Sequence, residues 1–151
     1  MGEHQLDMSN LSPLEVVQTF EELFMKHRPH FEDVLPVVHE DIVIHEAPSV
    51  PYAGEHRGHA GWLALARSFS DTWEPTAPIE CRFDAVGEDE VVARVKLDVI
   101  ARPTGKPITL RIAEFHRVRD GKICETTIYY WDTAAMVEAL TPSSDGSRVN
   151  L

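Results

Sequence analysis

From Ile79 onward the chain stops repeating like a helix and begins to repeat every second residue, and it does so in four consecutive runs. These cover residues 79–86, 91–102, 108–118 and 123–131, and turn-forming stretches separate them: Gly87-Glu88-Asp89-Glu90, Pro103-Thr104-Gly105-Lys106-Pro107 and Asp120-Gly121. An Asp-Gly pair between two alternating runs is the strongest hairpin signal of the three, because a primed two-residue turn needs positive φ at both positions. The second half of the chain is therefore expected to be an antiparallel meander.

The first half reads differently. Ser12 can cap a helix that has Pro13 at its first position and Glu15 three residues after the cap, the capping-box arrangement. Val16, Phe20, Leu23, Phe24 and His27 follow at helical spacing, and Arg28-Pro29 ends the run. A short helix is expected over residues 31–38, a strand over 41–47, a Pro/Gly-rich loop over 48–58 and a helix over 59–73. Residues 1–11 have the composition of a loose or disordered segment and residues 141–151 that of a flexible tail, leaving residues 12–140 as a single domain. Helices first, then one strand, a helix and four strands is an α+β order.

At 151 residues the chain supports one domain with a proper core rather than two. Its net charge of −11, with no run of basic residues, argues against nucleic-acid and anionic-membrane partners. No apolar stretch reaches spanning length, and the N-terminus has no signal-peptide pattern, so the expected location is the cytoplasm. Cys81 and Cys124 fall inside strands and read as buried thiols rather than a disulfide.

Two of the strands carry an acid where an apolar residue belongs. Alternation puts Ile42, Ile44 and Glu46 on one face, and Leu110, Ile112, Glu114, His116 and Val118 on another inward face. A carboxylate sent into an apolar interior is costly unless it is paired, hydrogen-bonded or protonated, and catalytic acids and bases have that character. Glu46 and Glu114 are therefore candidate catalytic groups, with His116 as a partner or proton relay. The bland alternatives are a strand-end carboxylate reaching solvent for Glu46 and a structural ion pair for Glu114. A register slip of one residue would exchange Glu46 for His45. Phe20, Phe24, Tyr52, Trp62, Ile128 and Tyr130 are candidate walls of a substrate pocket, Tyr52 from a loop at its rim and Tyr130 with a hydroxyl to offer. His56 shares that loop. No ligand spacing for a metal, no Gly-rich phosphate loop and no nucleophile elbow is present.

The order of elements, together with His39-Glu40-Asp41 before the first strand, Arg57-Gly58 ending the loop and the stretch from Phe115 to Ile123 at the last hairpin, resembles the SnoaL-like polyketide cyclase and ketosteroid isomerase superfamily over residues 14–140. The resemblance implies a cone-shaped, curved, mixed or antiparallel sheet with three to four helices on its concave face, the cystatin-like or nuclear-transport-factor-like fold. It implies a cofactor-independent isomerase, cyclase or lyase that abstracts a proton next to a carbonyl of a small, largely apolar molecule, working as a homodimer through the open sheet face. The isomerase's general base matches Glu46, and its protonated second acid matches Glu114. Its oxyanion tyrosine matches Phe20 within Val16-Val17-Gln18-Thr19-Phe20, and phenylalanine cannot donate a hydrogen bond. The acid that cyclases carry on the last strand is Ile128 here, within Glu125-Thr126-Thr127-Ile128. The chain thus departs from both chemistries, and its two-carboxylate pattern is nearer the isomerase.

The fold hosts many chemistries. A non-catalytic binding or interaction domain is the main alternative, and a cavity of a few hundred cubic ångströms would favour the enzyme. Epoxide hydrolysis through Asp98 and Arg94 ranks last, because both residues lie on the mixed face.

Overall fold

The structure, a computed structural model, describes residues 10–143. The loose N-terminal segment and flexible tail expected at the two ends lie for the most part outside the described residues. Helix α1 (Pro13–His27) starts as its sequence requires: the Ser12 hydroxyl accepts from the Glu15 backbone N–H at 3.2 Å, and the Glu15 carboxylate accepts from the Ser12 N–H at 2.9 Å. Lys26 and His27 in the last turn suit the negative end of the helix dipole. Val16 and Val17 are buried against the sheet, and Phe20 and Phe24 project beside them.

The short helix expected here is a 3-10 helix (Phe31–Val37), since Pro36 within it cannot donate to a regular ladder. Then come β1 (Val38–Glu46), β2 (Gly54–Arg57), α2 (Gly58–Thr72), β3 (Trp73–Pro75), β4 (Glu80–Val86), β5 (Glu90–Ala101), β6 (Pro107–Arg119), β7 (Lys122–Tyr130) and α3 (Thr133–Leu140). The sheet runs β2-β1-β7-β6-β5-β3, with β4 sharing the β5 edge. Every pair is antiparallel except β1 with β7, so the sheet is mixed. It curls into a half-barrel around which the helices pack, in an α+β architecture. Asp120 and Gly121, with φ of 57° and 72°, form the expected primed turn between β6 and β7.

Three elements differ from expectation. The loop before α2 contains β2, whose Gly-Glu-His-Arg sequence has no apolar alternation and which exists because the open edge of β1 pairs with it. Trp73 to Pro75 form an edge strand on β5 rather than the end of a helix. Residues 133–140 form α3, capped by the Asp132 carboxylate, which accepts from the Ala135 N–H at 3.0 Å. At the other end of α3 the Lys106 ammonium donates to the carbonyls of Glu138 and Thr141 at 3.3 and 2.6 Å. No helix among the described residues is long and apolar enough to cross a membrane.

The side-chain alternation does what the sequence implies. Leu110, Ile112, His116 and Val118 on β6 are buried, whereas Arg111, Phe115 and Arg117 are exposed. On β1, Ile42, Ile44 and Glu46 point inward. Substituting Ser12→Ala removes one half of the capping box, and the expected loss is about 1 kcal/mol of stability. Urea unfolding monitored by circular dichroism measures it as a lower midpoint at unchanged slope.

Candidate functional site

Glu46 is 8% exposed, with its carboxyl turned to a hollow between the sheet and the two long helices. The hollow measures about 120 Å³, and its walls include Phe20, Phe24, Ile44, Trp62, Ile128 and Tyr130, with Glu114 and His116 facing it as well. This is smaller than the few hundred cubic ångströms expected of an enzyme pocket. Aromatic rings fill the missing space: Phe20 meets Trp62 edge-on at 5.9 Å, Phe24 stacks on Phe31 at 5.5 Å, and Phe20 lies 6.1 Å from the His116 ring. A larger groove of about 430 Å³ is open on the outward face, lined by Arg82, Arg94, Lys96, Arg111, Tyr129 and Trp131. Neither Glu46 nor Glu114 lines it, so the chemistry belongs to the smaller hollow.

Sheet register sets the spacing of the acids. His45 pairs with Thr127 on β7, which puts Glu46 level with Ile128, and Ile128 in turn pairs with Glu114 on β6. Two strand spacings separate the acids, about 10 Å between their backbones. Ile128 stands between them. His45 points outward to Glu125 at 2.9 Å and Glu55 at 3.6 Å, which resolves the register in favour of Glu46.

A directional chain of hydrogen bonds ends on Glu46. The Trp73 indole N–H donates to the Tyr52 hydroxyl at 2.8 Å, the Tyr52 and Tyr130 hydroxyls are 3.3 Å apart, and Tyr130 donates to Glu46 Oε1 at 2.9 Å. Indole can only donate, and the single Tyr130 proton lies between Glu46 Oε1 and the Tyr52 hydroxyl. One Glu46 oxygen is thereby fixed. Burial pushes the Glu46 pKa up to about 8, against the lowering by Tyr130 and with a further push from Glu114. The same burial raises the phenols of Tyr130 and Tyr52 well above their ordinary value. Tyr52 is thus a core residue behind the wall, 4% exposed, and not the rim contact expected from its loop. Its loop is tied inward because His56 Nε2 donates to the Tyr52 carbonyl at 2.7 Å.

His116, 2% exposed, is held at both ring nitrogens, by Thr126 Oγ1 at 2.8 Å and Glu114 Oε1 at 3.1 Å. Among the described residues Glu114 is tied to a histidine and to no arginine.

Two residues absent from the sequence reading complete the site. Glu21 and Arg28 both line the hollow. Burial pushes Glu21 up to about 8, helped by Glu114 and opposed by Arg28. The signal was present: Val17, Glu21, Phe24 and Arg28 lie four, three and four residues apart, along one stripe of α1. Asp98, held by Thr109 at 2.6 Å, and Arg94, 3.9 Å from Asp84, are on the outward face and take no part. Among the described residues no three His, Cys, Asp or Glu side chains converge as metal ligands.

A half-barrel closed by helices over an acid-lined hollow is the architecture of the nuclear-transport-factor-like proteins. The SnoaL-like domain family matches residues 17–126, and the chain belongs to that family. An NTF2-like protein from Burkholderia xenovorans LB400 is 26% identical, with a TM-score of 0.76 over 89% of this chain and 100% of that one. A second, from Burkholderia thailandensis E264, is 23% identical, with a TM-score of 0.73 over 87% and 99%. A protein from Rhodopseudomonas palustris, provisionally assigned as an isomerase, is 19% identical, with a TM-score of 0.70 over 82% and 94%. No curated protein matches the chain.

The two raised carboxyls have a consequence for stability. In the unfolded chain each releases its proton near 4.5, whereas in the folded chain each keeps it to about 8. Between those values the unfolded state binds fewer protons, so stability falls as pH rises and levels off above about 8. Glu46→Gln removes one of the two contributions. Thermal unfolding at about pH 5 and about pH 8 is expected to show a smaller drop for the variant than for the parent chain.

Proposed function

We propose that the chain is an enzyme that moves a proton at carbon next to a carbonyl, with Glu46 as the general base. The observation that carries this reading is the state of the Glu46 carboxyl. Tyr130 fixes one oxygen, which orients the other toward the hollow, and burial brings the pKa to about 8, close to working pH. A base with its pKa near the operating pH combines a usable ionised fraction with a strong drive to take the proton. Isomerisation, cyclisation and dehydration all begin with this step.

The proton then needs a second station, and the enolate oxygen needs a donor. Glu114 and His116 share a hydrogen bond on the same wall and can pass a proton between Oε1 and Nε2. Phe20 supplies no hydroxyl where the isomerases have a tyrosine, so the donor comes from the other acids that face the hollow. Phe20, Phe24, Trp62 and Ile128 supply the apolar surface against which a small carbonyl compound lies. The provisional isomerase assignment of the Rhodopseudomonas palustris relative is in keeping with this chemistry.

The small volume of the hollow favours a second reading, a binding domain of the same fold that turns nothing over. In either case the outward faces of β6 and β7 offer Phe115, Tyr129 and Trp131, the last two 58% and 82% exposed, as the surface of a homodimer. The two free cysteines suit the cytoplasm.

The base assignment is tested without knowing the natural reaction. Deuterium uptake from D2O at the carbon next to the carbonyl of small cyclic ketones and oxo acids, followed by NMR, is expected to rise with pH through about 8 as Glu46 ionises. Glu46→Gln is expected to slow it at least about a hundredfold. Unchanged exchange in the variant removes Glu46 from the role, and no exchange with any probe favours the binding domain.

A further inference from the structure

The hollow holds two hydrogen-bonding groups that have no acceptor. Arg28 follows the last residue of α1, and its side chain passes over the Phe24 ring, with Cζ 5.3 Å from the ring centroid. Among the described residues its guanidinium makes no hydrogen bond and no ion pair, and neither does the Glu21 carboxyl. Arg28 is partly withdrawn from water, which lowers its pKa, with Glu21 acting against that and Arg102 adding to it. Arg102 itself is occupied, 3.6 Å from Glu74 and donating to the Ser70 carbonyl at 2.8 Å. A guanidinium withdrawn from water with no hydrogen-bonded partner is costly, and Glu21, the acid that favours its charge, forms no ion pair with it and is itself pushed up to about 8.

We propose that Arg28 and Glu21 form a carboxylate-binding subsite, and that the molecule the site takes is a small organic acid whose anion docks there while its apolar body lies against Phe20, Phe24 and Trp62. A planar carboxylate accepts two parallel N–H bonds from a guanidinium, and its lone pairs also accept the O–H of a neutral carboxyl, a short and charge-assisted bond. Both donors then find the acceptor they lack. Size narrows the class further. An apolar cavity of about 150 Å³ takes up benzene, so a hollow of about 120 Å³ holds a body no larger than one ring. Glu114, facing the same space from β6, disfavours a dianion such as a phosphate monoester.

The charged and titratable groups around Glu21 are Arg28 on its own helix, Glu114 and His116 on β6, Glu46 on β1 and Tyr130 on β7 across the hollow, and Cys81 on β4, whose thiol is pushed up to about 12. Raising the pH past about 8 ionises both Glu21 and Glu46, which repel the ligand anion, and ionised Glu21 also takes up the Arg28 charge, so anion affinity falls. That the bound acid is also turned over rests on the proton-transfer reading above; the subsite does not.

The probes are benzoate and its neutral isostere benzamide, titrated by calorimetry against the full chain. Benzoate is expected to bind at least about tenfold more tightly at neutral pH. Arg28→Gln is expected to erase that preference, Arg28→Lys to keep part of it, and Glu21→Gln to make the fall in affinity above about pH 8 shallower, the remainder coming from Glu46. Equal binding of the two probes, a preference that survives in Arg28→Gln, or no binding of either at millimolar concentration overturns the subsite. If the preference holds while Glu46→Gln leaves deuterium exchange unchanged, the subsite stands and the proton-transfer reading falls.

Discussion

The cost of withdrawing carboxyl groups from water governs this molecule. Three glutamates, from α1, β1 and β6, face one apolar hollow, and the protein supplies them with few partners. Glu46 has one phenol, Glu114 has one imidazole, and Glu21 has no hydrogen bond among the described residues. Burial, with the neighbouring Glu114 adding to it, makes Glu21 and Glu46 hold their protons far above the ordinary carboxyl range. The Glu46 shift alone costs roughly 3 kcal/mol at neutral pH, several times what the Ser12 cap contributes. A fold that keeps such groups is spending stability on something other than packing.

The geometry that enforces this cost is simple, which is why much of it was legible. A strand gives a side chain two directions only, so an acid in step with Ile42 and Ile44, or with Leu110 and Ile112, has nowhere to go but inward. Glu46, Glu114 and His116 could be placed from alternation alone, and the outward set from Arg111 to Arg117 followed with them. The same reasoning applied to α1 would have found Glu21, which sits mid-stripe between Val17 and Phe24. A stripe on a helix is about a hundred degrees wide and its edge is gradual, so an acid there is easily assigned to the solvent side. Arg28 was hidden for another reason: as the residue before a proline it read as a helix stop, and its side-chain direction is not set by that role.

What stayed illegible depends on contacts between distant segments. The bonds from Trp73 through Tyr52 and Tyr130 to Glu46 join β3, a loop, β7 and β1, and no local pattern marks Tyr52 as anything but a loop aromatic. Edge strands β2 and β3 likewise owe their existence to the partners they meet, β1 and β5, rather than to propensity. The α3 helix is the exception, because Asp132 with the Ala-rich run behind it is a recognisable cap and helix. Its signal is masked by the strand alternation that runs up to Trp131, directly before the cap.

The replacements at Phe20 and Ile128 make sense together once the charges are counted. An acid at position 128 would stand between Glu46 and Glu114, one strand spacing from each, and would add a third carboxyl to a pair that already repels. Isoleucine there keeps the two apart and keeps Glu46 dry. A tyrosine at position 20 would bring a hydroxyl to the His116 ring, which already has partners at both nitrogens. Phenylalanine packs there without asking for a third. The polar groups of the hollow stand instead on Glu21 of α1 and on Glu46, Tyr130 and Glu114, whose spacing is set by β1, β7 and β6.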